Sequence, residues 1–182
     1  MFKPWPKITR LENKRPPIFT EKIDGTNACV ILSFQPPDKN TILSVEHGAG
    51  LLSIWAQSRT RLITPENDNY GFAKWVKSNS EGLLSLGDGY HFGEWWGQGI
   101  NRGYGLTEKR FSLFNTRRWG PHNPNTPKCC HVVPIIPVHF PQDAIAELYD
   151  YGSIAAPGWM KPEGAVMYEP DTDTCFKIIM DK

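Results

Sequence analysis

The chain has 182 residues and a mass of 20.7 kDa, enough to bury one core of ordinary size. Hydrophobic residues make up 40% and charged residues 21%, which excludes a disordered tail, a collagen-like fibre and a coiled coil. The formal net charge of +1 excludes a general polyanion binder, so any contact with nucleic acid must come from a local patch.

No run approaches the ~18–20 apolar residues that a membrane span needs. The opening stretch Met1–Pro6 has no apolar core behind its charge, unlike a secretory signal. Four cysteines are too sparse for a disulfide framework, and a reducing cytoplasm is expected. Cys129-Cys130-His131, with His122 and His139 nearby, invites a zinc reading. Adjacent cysteines do not easily share one tetrahedral ion, so a loop entering an apolar strand is the better account.

Taken in chain order, Pro16-Pro17 ends an irregular arm and strands are expected over Ile18–Asp24 and Asn27–Phe34, joined tightly at Gly25. Further strands are expected over Thr41–Glu46 and Leu51–Ser58, with Arg59 and Arg61 at the end of the latter, where strand alternation could put both on one face. Phe72, Trp75 and Val76 recur at helical offsets, so Asn69–Asn79 reads as a helix packed by one face. Tyr90–Trp96 and Phe111–Asn115 read as strands, and residues 121–128 as a Pro- and Asn-rich loop. Pro141–Tyr151 reads as a helix, and Gly164–Tyr168 and Thr174–Met180 as strands. There is no regular βαβ rhythm, which points to an α+β fold with mainly antiparallel sheets and packed helices.

The most informative segment is Glu21-Lys22-Ile23-Asp24-Gly25. In a strand, Lys22 and Asp24 share a face, and a glycine after them lets the chain turn and a ligand approach the backbone. A lysine beside a carboxylate at a strand end suits a phosphate, although the same four residues also describe an ordinary surface lysine next to an aspartate. From Asn101 to Gly120 there are five basic residues (Arg102, Lys109, Arg110, Arg117, Arg118) against one acid, interleaved with Tyr104, Phe111, Phe114 and Trp119. Basic groups among aromatics suit a single-stranded nucleic-acid end; a solvated charged loop is the alternative.

Lys22-Ile-Asp24-Gly25 resembles the first motif of the covalent nucleotidyltransferases: ATP-dependent DNA ligases, RNA ligases and capping guanylyltransferases. Phe92-Gly-Glu94-Trp-Trp-Gly97 resembles the third motif, Phe111–Asn115 the aromatic motif after it, Glu163-Gly-Ala-Val166 the fourth and Phe176-Lys177-Ile178 the fifth. Gln57–Arg61 resembles the arginine-bearing segment between the first and third. The wording is most similar to the RNA ligase branch, in particular its small phage-encoded members, over about residues 18–179.

The resemblance implies a ligase-type, ATP-grasp-like nucleotidyltransferase domain over residues 1–182, with no C-terminal accessory domain. It implies an ATP-dependent RNA ligase that works in RNA repair. Lys22 would form a lysyl-AMP phosphoramidate, AMP would move to an RNA 5′-phosphate, and a 3′-hydroxyl would then attack. Alternatives are a DNA nick ligase and a catalytically weak RNA-end-binding accessory protein. A free lysine titrates near ~10.4 and is inert when protonated, so a cation is expected beside it. Asp24 and Glu163 would hold Mg²⁺ or Mn²⁺ through its waters.

By the same resemblance Glu94 binds the ribose, Phe114 stacks on adenine, Arg59 contacts the nucleotide and Lys177 assists catalysis at the α-phosphate. Glu21 and Asn27 join the nucleotide set, with the backbone around Glu21 and Lys22 reading the adenine edge. Arg61, Arg102, Arg110, Arg117 and Arg118 would take the nucleic acid. Bland alternatives stand beside these roles: Glu94 as a solvent-facing strand carboxylate, Phe114 as a core residue, Arg59 and Arg61 as a solvated pair. One departure is visible: Ile179 stands where the fifth motif often has a second lysine, and Lys182 is on the wrong parity to replace it. Either the catalytic domain binds the RNA end alone, or a partner protein or a homodimer supplies the clamp that larger ligases carry in a C-terminal domain.

Overall fold

The computed structural model describes residues 15–48, 50–120 and 123–180. The opening stretch Met1–Pro6, His122 and Lys182, each used in the sequence reading, lie outside the described residues. The strands are β1 (Ile18–Lys22), β2 (Thr26–Ser33), β3 (Leu43–His47), β4 (Gly50–Ser58), β5 (Leu62–Ile63), β6 (Gly89–Gly97), β7 (Lys109–Leu113), β8 (Cys130–Val132), β9 (Ile135–Ile136), β10 (Gly164–Glu169) and β11 (Thr174–Ile179). The helices are α1 (Phe72–Ser78), α2 (Ser80–Leu83), α3 (Thr116–Trp119) and α4 (Pro141–Tyr151).

A seven-stranded sheet runs β3-β4-β2-β6-β7-β8 with β5 beside β4, and a four-stranded sheet runs β11-β10-β1-β9. Every pairing except β7 with β8 is antiparallel, the α+β architecture expected from the sequence.

The strands alternate, and each sheet buries one face against a helix. On the larger sheet Val30, Leu32, Ile54, Ala56, Trp95, Phe111 and Leu113 meet Phe72, Ala73 and Val76 of α1. Each large apolar side chain buried there is worth about 1.5–3 kcal/mol. The Asp68 carboxylate accepts from the N–H groups of Ala73 and Lys74, which satisfies free donors at the start of α1. On the smaller sheet Phe19, Ile136 and Ala165 pack on Ala144 and Leu148 of α4. A third cluster, built from Ile23, Trp96, Tyr104, Val133 and Ala156, sits where the two sheets approach.

Two sequence expectations need correction. Residues 23–25 make a short connection from β1 to β2, but those strands belong to different sheets, and Asp24 lies past the end of β1 rather than within it. Gly25 is required for another reason: a Cβ there would lie 2.5 Å from the Trp95 carbonyl oxygen and 2.7 Å from the Trp96 Cβ. The chain crosses from sheet to sheet hard against β6, and only glycine fits. Arg59 and Arg61 also do not share a strand face, because β4 ends at Ser58 and both lie in the turn before β5.

Candidate functional site

The uncovered faces of the two sheets border a cavity of about 840 Å³. From β1 it receives Ile18, Thr20 and Lys22, the residues that alternate away from the α4 side. Their β10 partners are Tyr168, Val166 and Gly164, which pair onward with Cys175, Lys177 and Ile179 of β11. From the larger sheet come Asn27 of β2 and the β6 series Tyr90, Phe92 and Glu94, with Asn27 directly opposite Glu94. Phe114, just past β7, closes one side; its N–H donates to the Phe92 carbonyl at 3.0 Å.

Lys22 Nζ donates to Glu163 Oε2 at 2.6 Å, an ion pair only partly open to solvent. Glu94 is buried and accepts from the Gly25 N–H at 3.1 Å and from Asn27 Nδ2 at 3.0 Å. Burial outweighs those hydrogen bonds and the nearby Lys22 charge, so the Glu94 carboxyl is pushed up to about 7. It is neither a core residue nor a freely solvated strand carboxylate.

The two carboxylates expected to act together are held by different cations. Glu163 faces Lys22, whereas Asp24 accepts from Arg102 Nε at 2.9 Å and from Asn101 Nδ2 at 2.9 Å. Asp24 is absent from the cavity lining, and its N–H donates to the Tyr104 hydroxyl at 2.7 Å. Among the described residues no group of three or more His, Cys, Asp or Glu side chains is arranged to hold a metal ion. A pair of carboxylates is still the donor set that suits a hard ion arriving with substrate phosphates and keeping several waters.

Glu21 borders the cavity, but its side chain points to the other face of β1. Its carboxylate accepts from Ser153 Oγ at 2.6 Å and from the N–H groups of Ile154 and Ala155, both at 2.8 Å. It is buried, and desolvation raises its carboxyl above the ordinary range despite the three donors. The Glu21 N–H is also taken, by the Pro134 carbonyl at 2.9 Å. Phe114 is 42% exposed and belongs to no core cluster, so it is not an ordinary core phenylalanine. Lys177 is exposed and sits opposite Val166, on the cavity side of the small sheet.

The basic stretch divides. Arg102 also donates from Nη1 to the carbonyls of Lys161 and Pro162. Arg110 pairs with Glu108 and lies over the Trp96 ring. Arg118 donates to the Leu86 carbonyl and covers Trp119. Arg61 donates to the carbonyls of Leu62, Asn67 and Asp68. These four side chains brace loops. Arg117 lines the cavity and is exposed, and Arg59 is exposed outside it. Sequence reasoning missed Thr20, Val166, Phe92 and Tyr90 as lining residues; counting by twos from Lys22 and Glu94 would have found Thr20, Phe92 and Tyr90.

The sequence model of the RNA ligase family matches residues 15–179. Comparison with curated proteins gives no match. Among solved structures, a mutant of an RNA ligase from Naegleria gruberi with ATP and Mn matches at 24% identity and a TM-score of 0.59, over 92% of this chain and 51% of that one. A second mutant of that ligase with AMP and Mn gives 24% and 0.57 over the same shares. The same ligase with PPi gives 24% and 0.58, over 92% and 50%. At these identities the likeness establishes the fold, and the chain spans about half the length of the solved structures it matches.

Proposed function

The chain belongs to the RNA ligase family, and we propose that its described residues form the nucleotidyltransferase domain of an ATP-dependent RNA ligase that passes through a lysyl-AMP intermediate. The observation that carries this reading is the single cavity that Lys22, Asn27, Glu94, Phe114 and Val166 all line, with Glu163 2.6 Å from the Lys22 amine. ATP and Mn, and AMP and Mn, accompany the ligase structures this fold resembles, which supports the same nucleotide and a divalent ion here.

In this reading the flat face of Phe114 stacks on the adenine, and the Val166 methyl groups pack against its other side. The buried Glu94 carboxylate accepts from the ribose hydroxyls, with Asn27 fixing its orientation. Lys22 Nζ, once it has lost its proton to solvent, attacks the α-phosphorus. An N–P bond forms, the P–O bond to the β-phosphate breaks, and pyrophosphate leaves. Glu163 and Asp24 are the carboxylates that would hold a divalent ion, whose charge would favour the neutral amine and offset charge on the phosphates. Lys177, on the same sheet face, adds a positive charge to the phosphate end.

AMP then passes to an RNA 5′-phosphate, and a 3′-hydroxyl displaces it to seal the strand in RNA repair. Arg117, which lines the cavity beside the Tyr168 hydroxyl, and the exposed Arg59 are the first choice for the RNA end. A place among small phage-type ligases, in a host cytoplasm, belongs to the same reading. Among the described residues no helix is long and apolar enough to cross a membrane.

Intact-mass measurement after incubation with ATP and Mg²⁺ or Mn²⁺ tests the first step. An AMP-sized gain, reversed by pyrophosphate and absent in Lys22→Ala, is expected. A Lys22→Ala protein that still gains AMP would remove Lys22 from the reaction. RNA and DNA ends, single-stranded or nicked, then separate an RNA ligase from a DNA nick ligase. No AMP gain at all favours an accessory protein.

A further inference from the structure

The loop after β6 holds an unfavourable backbone conformation at Tyr104. Asn101 and Tyr104 both take left-handed conformations, with φ of 44° and 52°. Non-glycine residues rarely sit there, and such strain persists only where surrounding contacts hold it. Those contacts point one way. Asn101 Nδ2 donates to Asp24 Oδ1 and to the Gly25 carbonyl, Arg102 Nε donates to Asp24 Oδ2, and the Tyr104 hydroxyl accepts from the Asp24 N–H. Tyr104 is buried against Trp96, so the turn has a firm base.

Arg102 reaches further. Its Nη1 donates to the carbonyls of Lys161 at 2.9 Å and Pro162 at 3.1 Å, the two residues before Glu163. One guanidinium therefore grips both sides of the reactive pair: Asp24, two residues past Lys22, and the segment that delivers Glu163. A rigid planar fork with several donors can hold these positions together; a lysine ammonium, a point charge on a flexible stem, cannot.

We propose that Arg102 is a positioning residue for the lysine chemistry, setting where Lys22 and Glu163 stand by tying the end of β1 to the start of β10. It touches neither nucleotide nor the reacting atoms. This assignment rests on the ligase reading above, and it replaces the sequence-based expectation that Arg102 contacts nucleic acid. Displacing reacting groups by about 1 Å can cost on the order of a hundredfold in rate, so the effect falls on the chemical step.

The test compares wild type, Arg102→Ala and Arg102→Lys. AMP gain is followed by intact mass over a range of ATP concentrations, and hydrogen exchange is followed in peptides covering residues 20–27 and 160–166. For Arg102→Ala a fall of about tenfold or more at saturating ATP is expected, with the KM for ATP within about threefold of wild type. Arg102→Lys should stay at least threefold or so below wild type, and both peptides should exchange faster in both variants.

A full-rate Arg102→Lys protein would overturn the proposal. So would a loss carried by KM, or faster exchange in only one peptide. Should Arg102→Ala fail to fold, Arg102→Lys decides by the same criteria. If wild type takes up no AMP, the ligase reading fails, and paired exchange in the two peptides still judges the clamp.

Discussion

Ile179 and Lys22 stand in one row of the four-stranded sheet, on either side of Gly164. Gly164 contributes no side chain, so the Ile179 side chain is the next group along the row from the Lys22 amine. This is the position where related nucleotidyltransferases often carry a second lysine. Ile179 is 44% exposed, so Ile179→Lys should be tolerated, with stability changed by less than about 1 kcal/mol. The added cation should lower the KM for ATP in self-adenylylation by roughly threefold to tenfold, the worth of one charged contact at a partly open site. An ATP titration read by intact mass checks this, and a KM within twofold or so of wild type would refute it.

Glu94 sets a pH dependence with a defined sign. Its carboxyl titrates near 7 in the fold because burial disfavours the charged form. A raised carboxyl stabilises the fold below the unfolded value, 4.5, and that contribution is lost as pH rises through about 7. Its size is on the order of 3 kcal/mol. Nucleotide binding runs the other way, because only the ionised form accepts two hydroxyl hydrogen bonds. ATP affinity should therefore rise between pH 6 and about 8 while the unfolding temperature falls. Glu94→Gln should flatten both curves and bind ATP more weakly at pH 8. Thermal unfolding and binding isotherms across that range would show it.

Period-two alternation made the strands of the site legible, and the motifs placed Lys22 and Glu94 on them and Glu163 just before β10. The alternation also carries Thr20 and Phe92 into the cavity, because each is two residues from a named group. Partners across elements were not legible. Nothing in the spacing shows that Arg102 would choose Asp24, 78 residues away, over a phosphate. A charged side chain in sequence carries no sign of whether carbonyls such as Lys161 and Pro162 will be in reach. The crossing at Gly25 was hidden for the same reason: the Trp95 carbonyl that forbids a Cβ belongs to a distant strand.

Glu21 follows from that distinction. It sits beside Lys22, yet its carboxylate serves the loop after α4 through Ser153, Ile154 and Ala155. Glu21→Ala would leave three donors without their acceptor in a buried place. A loss of roughly 2–4 kcal/mol is expected in denaturant unfolding. The KM for ATP of the folded fraction should change by less than about threefold, since the Glu21 carboxylate is held by the loop after α4. A large KM effect with unchanged stability would show the carboxylate to be a nucleotide ligand.

Phe114 offers the opposite pattern. A phenylalanine buried in a core costs about 3–5 kcal/mol when cut to alanine. Phe114 is 42% exposed and faces the cavity beside Phe92 and opposite the β10 strand that carries Val166. Phe114→Ala should therefore cost no more than about 1 kcal/mol of stability, because there is little burial to lose. If the ring stacks on the base, losing it should raise the KM for ATP by roughly threefold to tenfold, the equivalent of ~0.5–1.5 kcal/mol of aromatic contact. Phe114→Tyr keeps the flat face and should retain the wild-type KM, whereas Phe114→Leu keeps apolar bulk without the face and should not. Unfolding curves and ATP titrations on the three variants separate a stacking residue from a packing one. Equal KM values for the leucine and tyrosine variants would leave Phe114 as apolar lining alone.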